Sequence, residues 1–391
     1  MIQKDFLINN PLSAGREIAE IARILKEIPH RDALLSVYET GFPASQLKII
    51  INRLKACDKN LKIAGISVYS IADMTVMLKG MRLNLILTES SDIEVVTIPC
   101  KPGQERRAID HMKKRLGADP DIKAVQLFVC NVGLNTTEFL RESFKGREDI
   151  GVFGTLTSRE LPEAVASRGE GYNILSVLGR QGANVKQERF AIGDALVSDG
   201  FVAVIFSGKD LYADLRYALG WHPVGREMPV TISENRGKWE TCISEIDGMS
   251  PVDLYNEYLG VKPDNYFIYN ICEFPLMVRR NETDICLIPL EYGDKGEIYF
   301  DSTIYEGEKL YLSFATHDEV LGAVRESLKE MTGFEPDALF LVLCSNRINF
   351  LEEDAKLEWS CFSGIAPDLA LIHGVSEIYY HRDRLSELKG I

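Results

Sequence analysis

Two short polar segments near the C-terminal end of the chain hold the side chains best suited to recognising a small ligand. They are Ser345, Asn346 and Arg347 after one apolar run, and Ser376 and Glu377 after the next. The planar guanidinium of an arginine suits a carboxylate, and a glutamate carboxylate accepts hydrogen bonds from an ammonium group. Arg347 and Glu377 together therefore predict a zwitterionic, amino-acid-like ligand. The alternative interpretation is that these two side chains pair with each other and hold the last strand in place.

A strand–helix–strand unit is predicted to bring these two segments together. Residues 337–344 and 369–376 are typical of buried strands, and residues 352–363 between them are typical of a helix. Such a unit makes a right-handed crossover between parallel strands. Because both strands of a crossover end at the same edge of the sheet, where ligands collect, we expect Arg347 and Glu377 to meet there.

The same plan occurs twice earlier in the chain. Each copy has an apolar strand, a polar turn, an amphipathic helix and a second strand that contains a glycine. The first copy covers residues 32–38, 45–56 and 62–68, and the second covers residues 124–130, 136–144 and 150–156. Strands that are apolar throughout are typical of sheets covered on both faces. Because such units do not bury their faces alone, the repetition predicts an α/β fold with mixed sheets and two halves packed together.

Antiparallel strand pairs are predicted between these units, which is why the sheets are expected to be mixed. The pairs are Leu83–Thr88 with Ile93–Ile98, Tyr172–Leu178 with Phe201–Ser207, and Met228–Ser233 with Lys238–Ile246. The last pair flanks a turn that contains Gly237, a residue that tight hairpins favour. Mixed sheets distinguish this chain from a plain doubly wound dinucleotide-binding fold.

A second candidate site lies at Gly220-Trp221-His222-Pro223, where the two halves of the chain are predicted to meet. The glycine permits a tight bend, and the proline stops regular strand pairing. Trp221 either walls a pocket at this joint or belongs to the core between the halves. His222 would be the axial ligand if the chain binds haem, although the chain has no haem-attachment motif. We predict no other cofactor and no metal.

Composition excludes several classes of protein. The 391 residues carry a formal net charge of −14 and give a pI near 5.1, which argues against binding to nucleic acid or to an anionic membrane. No apolar run is long enough to cross a bilayer, and the first residues lack the apolar segment of a secretory signal. The eight cysteines form no Cys-x-x-Cys pair and most lie in apolar runs, which predicts reduced, buried thiols in a cytoplasmic protein.

Catalytic motifs are absent from the sequence. The chain has no phosphate-binding GxxxxGK[ST] loop, no GxGxxG after a strand, no GxSxG elbow and no HExxH. Cys344 stands at a strand end without an evident base beside it. We therefore expect a binding protein and not an enzyme.

Several short elements occur in a distinctive order along the chain. They are Ser198–Gly208, Gly220-Trp221, Pro223–Gly225, Glu245–Gly248, Leu254–Gly260, Phe274–Leu276, Ile304–Gly307, Cys344–Arg347 and Gly374–Glu377. This order resembles that of FIST domains, intracellular sensory modules of bacteria and archaea, over roughly residues 32–379. Three features depart from the family. Ser376 stands where the family usually has glycine, no asparagine follows Glu377, and the first repeat has Gly65-Ile-Ser-Val-Tyr-Ser in place of the family's usual Thr-x-Gly-Glu pattern.

The resemblance implies a domain organisation and a function. It implies a FIST N-terminal-like domain at residues 1–219, a FIST C-terminal-like domain at 220–378, and a terminal helix or linker to an output module at 379–391. It also implies a sensor for a small ligand, amino acids having been proposed for the family, that signals to a histidine kinase, a diguanylate cyclase or a chemotaxis partner. The first alternative is a haem-binding nitric oxide sensor, as some related proteins are, and the second is an interaction scaffold without a ligand.

Overall fold

The computed structural model describes most of the chain. The described residues are 1–8, 14–40, 42–68, 71, 80–131, 133–157, 189–234, 240–264, 266–280, 283–331, 333, 335–362, 364–366, 368–374 and 376–380. The elements up to residue 207 are β1 (Ile2–Ile8), α1 (Gly15–Glu27), β2 (Asp32–Glu39), α2 (Ala44–Lys55), β3 (Lys62–Ser67), β4 (Met81–Thr88), β5 (Asp92–Pro99), α3 (Glu105–Ala118), β6 (Ile122–Cys130), α4 (Thr136–Ser143), β7 (Gly151–Thr157), β8 (Ala191–Ile192), β9 (Leu196–Val197) and β10 (Gly200–Ser207).

The elements after residue 207 begin with a long strand and end with a short one. They are β11 (His222–Glu234), β12 (Thr241–Ile246), α5 (Pro251–Leu259), α6 (Phe267–Ile271), β13 (Leu276–Arg280), β14 (Thr283–Leu287), β15 (Pro289–Tyr292), β16 (Ile298–Phe300), β17 (Lys309–Phe314), α7 (His317–Glu330), β18 (Phe340–Cys344), α8 (Ser345–Leu351), a 3-10 turn (Glu352–Asp354), α9 (Ala355–Ser360), β19 (Ala370–Gly374) and β20 (Ser376–Tyr380).

The first part of the chain forms two stacked mixed sheets with helices on the outer faces. One sheet has the order β1-β4-β2-β3-β8-β9 and the other has the order β20-β7-β6-β10-β5. Along β2, Leu34 and Tyr38 belong to the core between the sheets, whereas Leu35 and Val37 belong to the core beneath α1 and α2. Both faces of the strand are therefore buried, which explains its continuous apolar run. The predicted α/β fold with mixed sheets is confirmed.

The two earlier strand–helix–strand units are present as predicted. β2 pairs in parallel with β3 around α2, and β6 pairs in parallel with β7 around α4. The glycine in each second strand has a steric reason. A side chain at Gly65 would collide with the backbone of Val37, and one at Gly154 would collide with the backbone of Leu127. The two units thus use glycine at equivalent places, where parallel strands approach closely.

One predicted hairpin is wrong. β4 and β5 follow each other closely, but β4 pairs with β1 and β2 in the first sheet, whereas β5 pairs with β10 in the second. The short connection at residues 89–91 carries the chain from one sheet to the other. Of the other predicted pairs, β11 and β12 are antiparallel neighbours as expected. The segment 172–178 lies outside the described residues, and its predicted partner β10 pairs with β5 and β6.

The second part of the chain adds a seven-stranded sheet of order β14-β13-β17-β11-β12-β16-β15. The core of this part includes Trp221, which precedes β11, and residues from α5, α6, α7 and α8, among them Tyr255 of α5. Ser250 caps the start of α5, where its side chain accepts a hydrogen bond from the Asp253 amide. Gly260, in the left-handed conformation, caps the other end. α7 begins with a capping box between Thr316 and Glu319.

The third strand–helix–strand unit is confirmed, with a different helix and a different continuation. β18 and β19 are parallel, as predicted, but the helical region between them begins already at Ser345 and consists of α8, the 3-10 turn and α9. After β19 the chain does not stay in this sheet. β20 pairs antiparallel with β7 and so completes the second sheet of the first part.

The domain division predicted after residue 219 stays a prediction. The structure adds that a strand from beyond this position completes a sheet from before it. Of the predicted terminal helix or linker at 379–391, Tyr379 and Tyr380 lie in β20, and the remainder lies outside the described residues. Within the described part of the chain, no helix has both the length and the apolar composition that crossing a membrane requires. All eight cysteines are free thiols, and most are buried.

Candidate functional site

A cavity of about 560 Å³ lies between β18 and β20. β18 pairs with β19 whereas β20 pairs with β7, so the two strands belong to different sheets and part of the space between them stays empty. α7 and residues 210–218, which connect β10 to β11, complete the wall. Among the described residues the wall is largely apolar and aromatic, with Phe153, Phe206, Phe340, Val342 and Phe362. We call this space the seam cavity.

Glu377 is a buried acid in the wall of the seam cavity. It lies in β20 opposite Thr155 of β7, and its exposed fraction is 9%. Neither carboxylate oxygen accepts a hydrogen bond from a nitrogen or oxygen donor among the described residues. Burial raises the pKa of Glu377 to about 8, and the charge of Asp301 adds to this, while the Cys344 thiol and Arg347 act in the opposite direction. The side chain therefore has unused hydrogen-bonding capacity beside an empty volume.

Arg347 also lines the seam cavity, but its guanidinium is already engaged. Its Nε donates to Oε1 of Glu358 at 2.6 Å, and its Nη1 donates to the carbonyl oxygen of Leu219 at 2.9 Å. Nη2 lies 2.5 Å from the same Glu358 oxygen as an ion-pair contact, but it makes no hydrogen bond with a described residue. Because α8 starts directly after β18, Arg347 is held at the end of that strand as the crossover argument predicted. Its ion-pair partner is Glu358 of α9, and the pairing with Glu377 that the sequence left open is not formed.

Two further polar side chains of the cavity wall, Tyr217 and Cys344, interact with other residues of the fold. The hydroxyl of Tyr217 donates to the carbonyl oxygen of Asp284 at 3.0 Å, and its ring lies 5.7 Å from that of Tyr379. The Cys344 thiol lies beside Glu377, and burial raises its pKa well above the ordinary value. A nucleophilic cysteine requires a lowered pKa, so Cys344 has the opposite of that character.

The structure places Ser345, Asn346 and Ser376 outside the described wall of the seam cavity. Ser345 and Asn346 are buried at the start of α8, and the Asn346 side chain donates to the carbonyl oxygen of Cys272 at 3.2 Å. Ser376 precedes Glu377 in β20, and successive side chains of a strand point to opposite faces. These three residues belong to the framework of the strand ends.

Trp221 and His222 also lie apart from the described cavity wall. Trp221 is 2% exposed, donates from Nε1 to the carbonyl oxygen of Glu273 at 3.2 Å, and contacts the ring of Phe350. It therefore lies in the core of the second part of the chain, whereas the two interpretations from the sequence were a pocket wall and a core between the halves. His222 is exposed on β11, with Nε2 at 3.8 Å from Glu319. Haem binding through His222 stays an untested prediction.

Tyr217 and Glu358 line the seam cavity but were not among the site residues predicted from the sequence. Tyr217 lies in the connection between β10 and β11, which carries no motif. Glu358 had a usable signal, because it stands three residues after Ala355 and so lies on the same face of α9. Both residues are buried, and a buried arginine in the same unit requires an acidic partner.

The fold and the cavity define a two-part α/β protein with an internal site between elements from both parts. The model of the FIST N domain matches residues 51–249, and the model of the FIST C domain matches residues 251–376. The chain therefore belongs to the FIST family, as the resemblance predicted. FIST domains are associated with signal transduction and small-ligand sensing. No curated protein matches the chain.

Proposed function

We propose that this protein is a sensor that binds a small metabolite in the seam cavity and relays its occupancy to a signalling partner. The observation that carries the proposal is Glu377, whose buried carboxyl group faces the cavity without a nitrogen or oxygen donor among the described residues. Buried polar groups in folded proteins are normally hydrogen-bonded, and leaving one unsatisfied costs about 1–3 kcal/mol. A ligand that offers a partner to Glu377 recovers this cost.

The size and lining of the cavity support the same proposal. Ligand sites typically have volumes of roughly 300–1,000 Å³, mostly apolar walls and a few well-placed polar groups. The seam cavity, at about 560 Å³, falls inside this range. Its polar groups Glu377, Arg347 and Glu358 are buried, whereas Tyr212 at another part of the wall is 74% exposed. This gradient from a buried polar end to an exposed end suits a ligand that enters with its polar group first.

The relay is proposed to use the two elements that the ligand would touch together. β20 is hydrogen-bonded to the second sheet, whereas residues 210–218 connect that sheet to the seven-stranded sheet. A ligand in contact with both stabilises the conformation in which their spacing fits it, and so shifts the population of states. The partner that reads this shift is proposed, from the family resemblance, to be a histidine kinase, a diguanylate cyclase or a chemotaxis protein.

Binding without catalysis is part of the proposal. The nucleophile considered from the sequence, Cys344, holds its proton well above neutral pH. A ligand recovered from the protein should therefore be chemically unchanged by mass spectrometry.

The test is a ligand-induced thermal shift measured on the wild type and two matched variants. Val342 lines the cavity and is half-buried, so Val342→Phe places a ring in the empty volume. Val224 is 51% exposed on β11, so Val224→Phe is the same substitution away from the cavity. Metabolites that raise the melting temperature of the wild type and of Val224→Phe should have no effect on Val342→Phe. Full retention of the shift in a folded Val342→Phe protein would place the ligand elsewhere and overturn the proposal.

A further inference from the structure

The charges in the buried part of the seam cavity are not balanced. Arg347 and Glu358 form an ion pair with side chains that are each 3% exposed, so together they carry no net charge. Glu377 stands beside this pair, and the negative charge of Asp301 also acts on it. If Glu377 ionises, the three wall residues Arg347, Glu358 and Glu377 carry one net negative charge, and Asp301, which does not belong to the described wall, adds to the negative field. A single positive charge on the ligand restores neutrality in a medium where an unpaired charge is costly.

The exposed part of the cavity wall has the same sign. Its acidic residues are Glu89, Asp210, Asp214, Glu335 and Asp337, which outnumber its cations even though the amino group of Met1 lies 3.4 Å from Asp337. Arg216 lines the same region, but its Nε donates to Asp214 at 3.0 Å and its Nη1 donates to Glu330 at 3.3 Å. Both arginines of the described wall, Arg216 and Arg347, are therefore paired with carboxylates, and the potential at the opening attracts cations and repels anions.

Aromatic rings line the same cavity as Glu377. Tyr217 and Tyr379 lie 5.7 Å apart, and Phe153 and Phe340 lie 5.3 Å apart, all four within the wall. The face of an aromatic ring attracts a cation within about 6 Å, and desolvation strengthens the attraction. A carboxylate beside aromatic faces is thus a surrounding that favours ammonium groups, and the apolar remainder of the wall favours a hydrocarbon body.

We propose that the seam cavity selects a small organic monocation, with an ammonium group at Glu377, an apolar body between the aromatic rings and no carboxylate. The inference rests on the function proposed above and narrows its ligand class. It replaces the zwitterion expected from the sequence. The carboxylate of an amino acid would have to compete with Glu358 for the guanidinium of Arg347, whose Nε and Nη1 already donate to Glu358 and to the Leu219 carbonyl, and whose Nη2 lies 2.5 Å from the same Glu358 oxygen. A zwitterion would also leave the negative charge of the site uncompensated.

A matched series of four probes tests the charge requirement by titration calorimetry. Phenethylamine carries the ammonium, phenethyl alcohol replaces it with a hydroxyl, phenylalanine adds a carboxylate, and hydrocinnamate keeps the carboxylate alone. Hydrogen bonds between charged partners are worth about twice neutral ones, so we expect phenethylamine to bind about tenfold more tightly than the alcohol. Phenylalanine should bind more weakly than the amine, and hydrocinnamate should bind most weakly.

Proton release distinguishes an ammonium–carboxylate pair from unspecific apolar binding. The groups acting on Glu377 are Asp301, Arg347 and the Cys344 thiol, and with them its pKa is about 8 before a ligand binds. Binding of an ammonium group at pH 6.5 should therefore release close to one proton, measured from the buffer dependence of the binding enthalpy, and the affinity should rise up to about pH 8. Glu377→Gln should abolish this release and weaken the amine about tenfold.

Glu240→Gln is the matched control. Glu240 is a second buried glutamate with a pKa raised to about 8, but it does not belong to the described cavity wall. This variant should keep both the proton release and the preference for the amine. Equal loss in the two variants would mean that a change in the fold, and not contact with the ligand, weakens binding, and would overturn the inference.

The remaining outcomes separate this inference from the proposed function. If the alcohol or hydrocinnamate binds as tightly as the amine and Val342→Phe abolishes that binding, the cavity is a ligand site but not a cation site, so the inference falls alone. If none of the four probes binds, the inference also falls. The proposed function is then decided by the metabolite shifts and their loss in Val342→Phe, which make no assumption about charge.

Discussion

Two buried glutamates, Glu240 and Glu377, lie where the first part of the chain meets the second. They differ in the hydrogen bonds that their carboxyl groups accept. Glu240 lies in a closed contact with Thr137 and Thr303, both of which donate hydrogen bonds to it, at 3.3 Å in the case of the Thr137 amide. Glu377 lies in the seam cavity and has no such donor among the described residues. Burial raises the pKa of both to about 8. A raised pKa alone therefore does not mark the binding site; the empty volume beside Glu377 does.

An arginine in each of the two regions pairs with a glutamate and also donates to a backbone carbonyl. Arg347 pairs with Glu358 and donates to the carbonyl oxygen of Leu219, whereas Arg280 pairs with Glu308 and donates to the carbonyl oxygen of Thr303 at 2.6 Å. The side chains of the first pair are 3% exposed, and those of the second are 12% and 20% exposed. The exposed fraction of the side chains is therefore the main difference between the two ion pairs.

The largest expected effect is the loss of the arginine at the seam cavity. Arg347→Ala leaves the Glu358 carboxylate buried without its partner, and removing one member of a buried pair costs about 3–5 kcal/mol. Arg280→Ala leaves Glu308 near solvent, where water can hydrate it, so we expect about 1 kcal/mol. Urea denaturation of both variants at neutral pH measures the difference in the free energy of unfolding.

The double variant Arg347→Ala/Glu358→Ala supplies the control for that measurement. If the unpaired charge causes the loss, removing the acid as well should recover part of the stability. Equal losses in Arg347→Ala and Arg280→Ala would contradict the comparison, because burial would then not distinguish the two pairs.

The second largest expected effect is a pH dependence of the free energy of unfolding. Glu240 and Glu377 should contribute to it unequally. Each folded-state pKa is raised from 4.5 to about 8, so the folded protein retains these protons to higher pH than the unfolded chain. Their contribution is fully present below about pH 4.5 and is lost as the pH rises to about 8. Glu240→Gln should therefore stabilise the protein at pH 8.5 relative to pH 5 by on the order of 3 kcal/mol. From the pKa alone Glu377→Gln should gain as much; we expect a smaller gain, because water that enters the empty volume beside Glu377 lowers the cost of ionising it below that of the enclosed Glu240.

Thermal unfolding of the wild type and the two glutamine variants at both pH values tests this order. A larger gain for Glu377→Gln would show that the seam cavity stays dry, and the contrast between the two regions would then have to be restated without hydration. Variants with parallel pH profiles identical to the wild type would show that neither glutamate ionises in this range.

The sequence predicted the strand–helix–strand units well because their signals are local. Apolar strands, helical spacing and one glycine at each close approach all lie within one unit, and the parallel crossover rule then placed Arg347 at the end of β18, whereas Glu377 lies in a strand of a different sheet. The separation of β4 from β5 was not predictable in this way. Two apolar strands with a short connection are compatible with a hairpin and with a passage between stacked sheets, and the choice depends on β1 and β10, which are distant in the chain.

The partner of Arg347 shows the same limit within the site. A buried guanidinium predicts an acid, and both Glu358 and Glu377 were near enough along the unit to supply it. The position of β20 determines which acid pairs with Arg347. This strand pairs with β7 and not with β18 or β19, so Glu377 lies on the other side of the cavity. The zwitterion hypothesis assumed that both side chains were unpaired, but in the structure Arg347 forms an ion pair with Glu358, whereas neither carboxylate oxygen of Glu377 accepts from a nitrogen or oxygen donor among the described residues.

The smallest expected effect is at His222, which lies outside both regions. The imidazole is exposed on β11 and approaches Glu319 at 3.8 Å, so His222→Ala should change the free energy of unfolding by less than about 0.5 kcal/mol. It should also leave the affinity for phenethylamine unchanged, measured by the same titration as for the wild type. Trp221 is not an equivalent control, because its buried ring supports the core next to Arg347 and its loss would disturb the cavity wall. Loss of ligand binding in His222→Ala would move the site from the seam cavity to the surface of β11 and would favour the haem alternative, which a Soret absorption band lost in the same variant would identify.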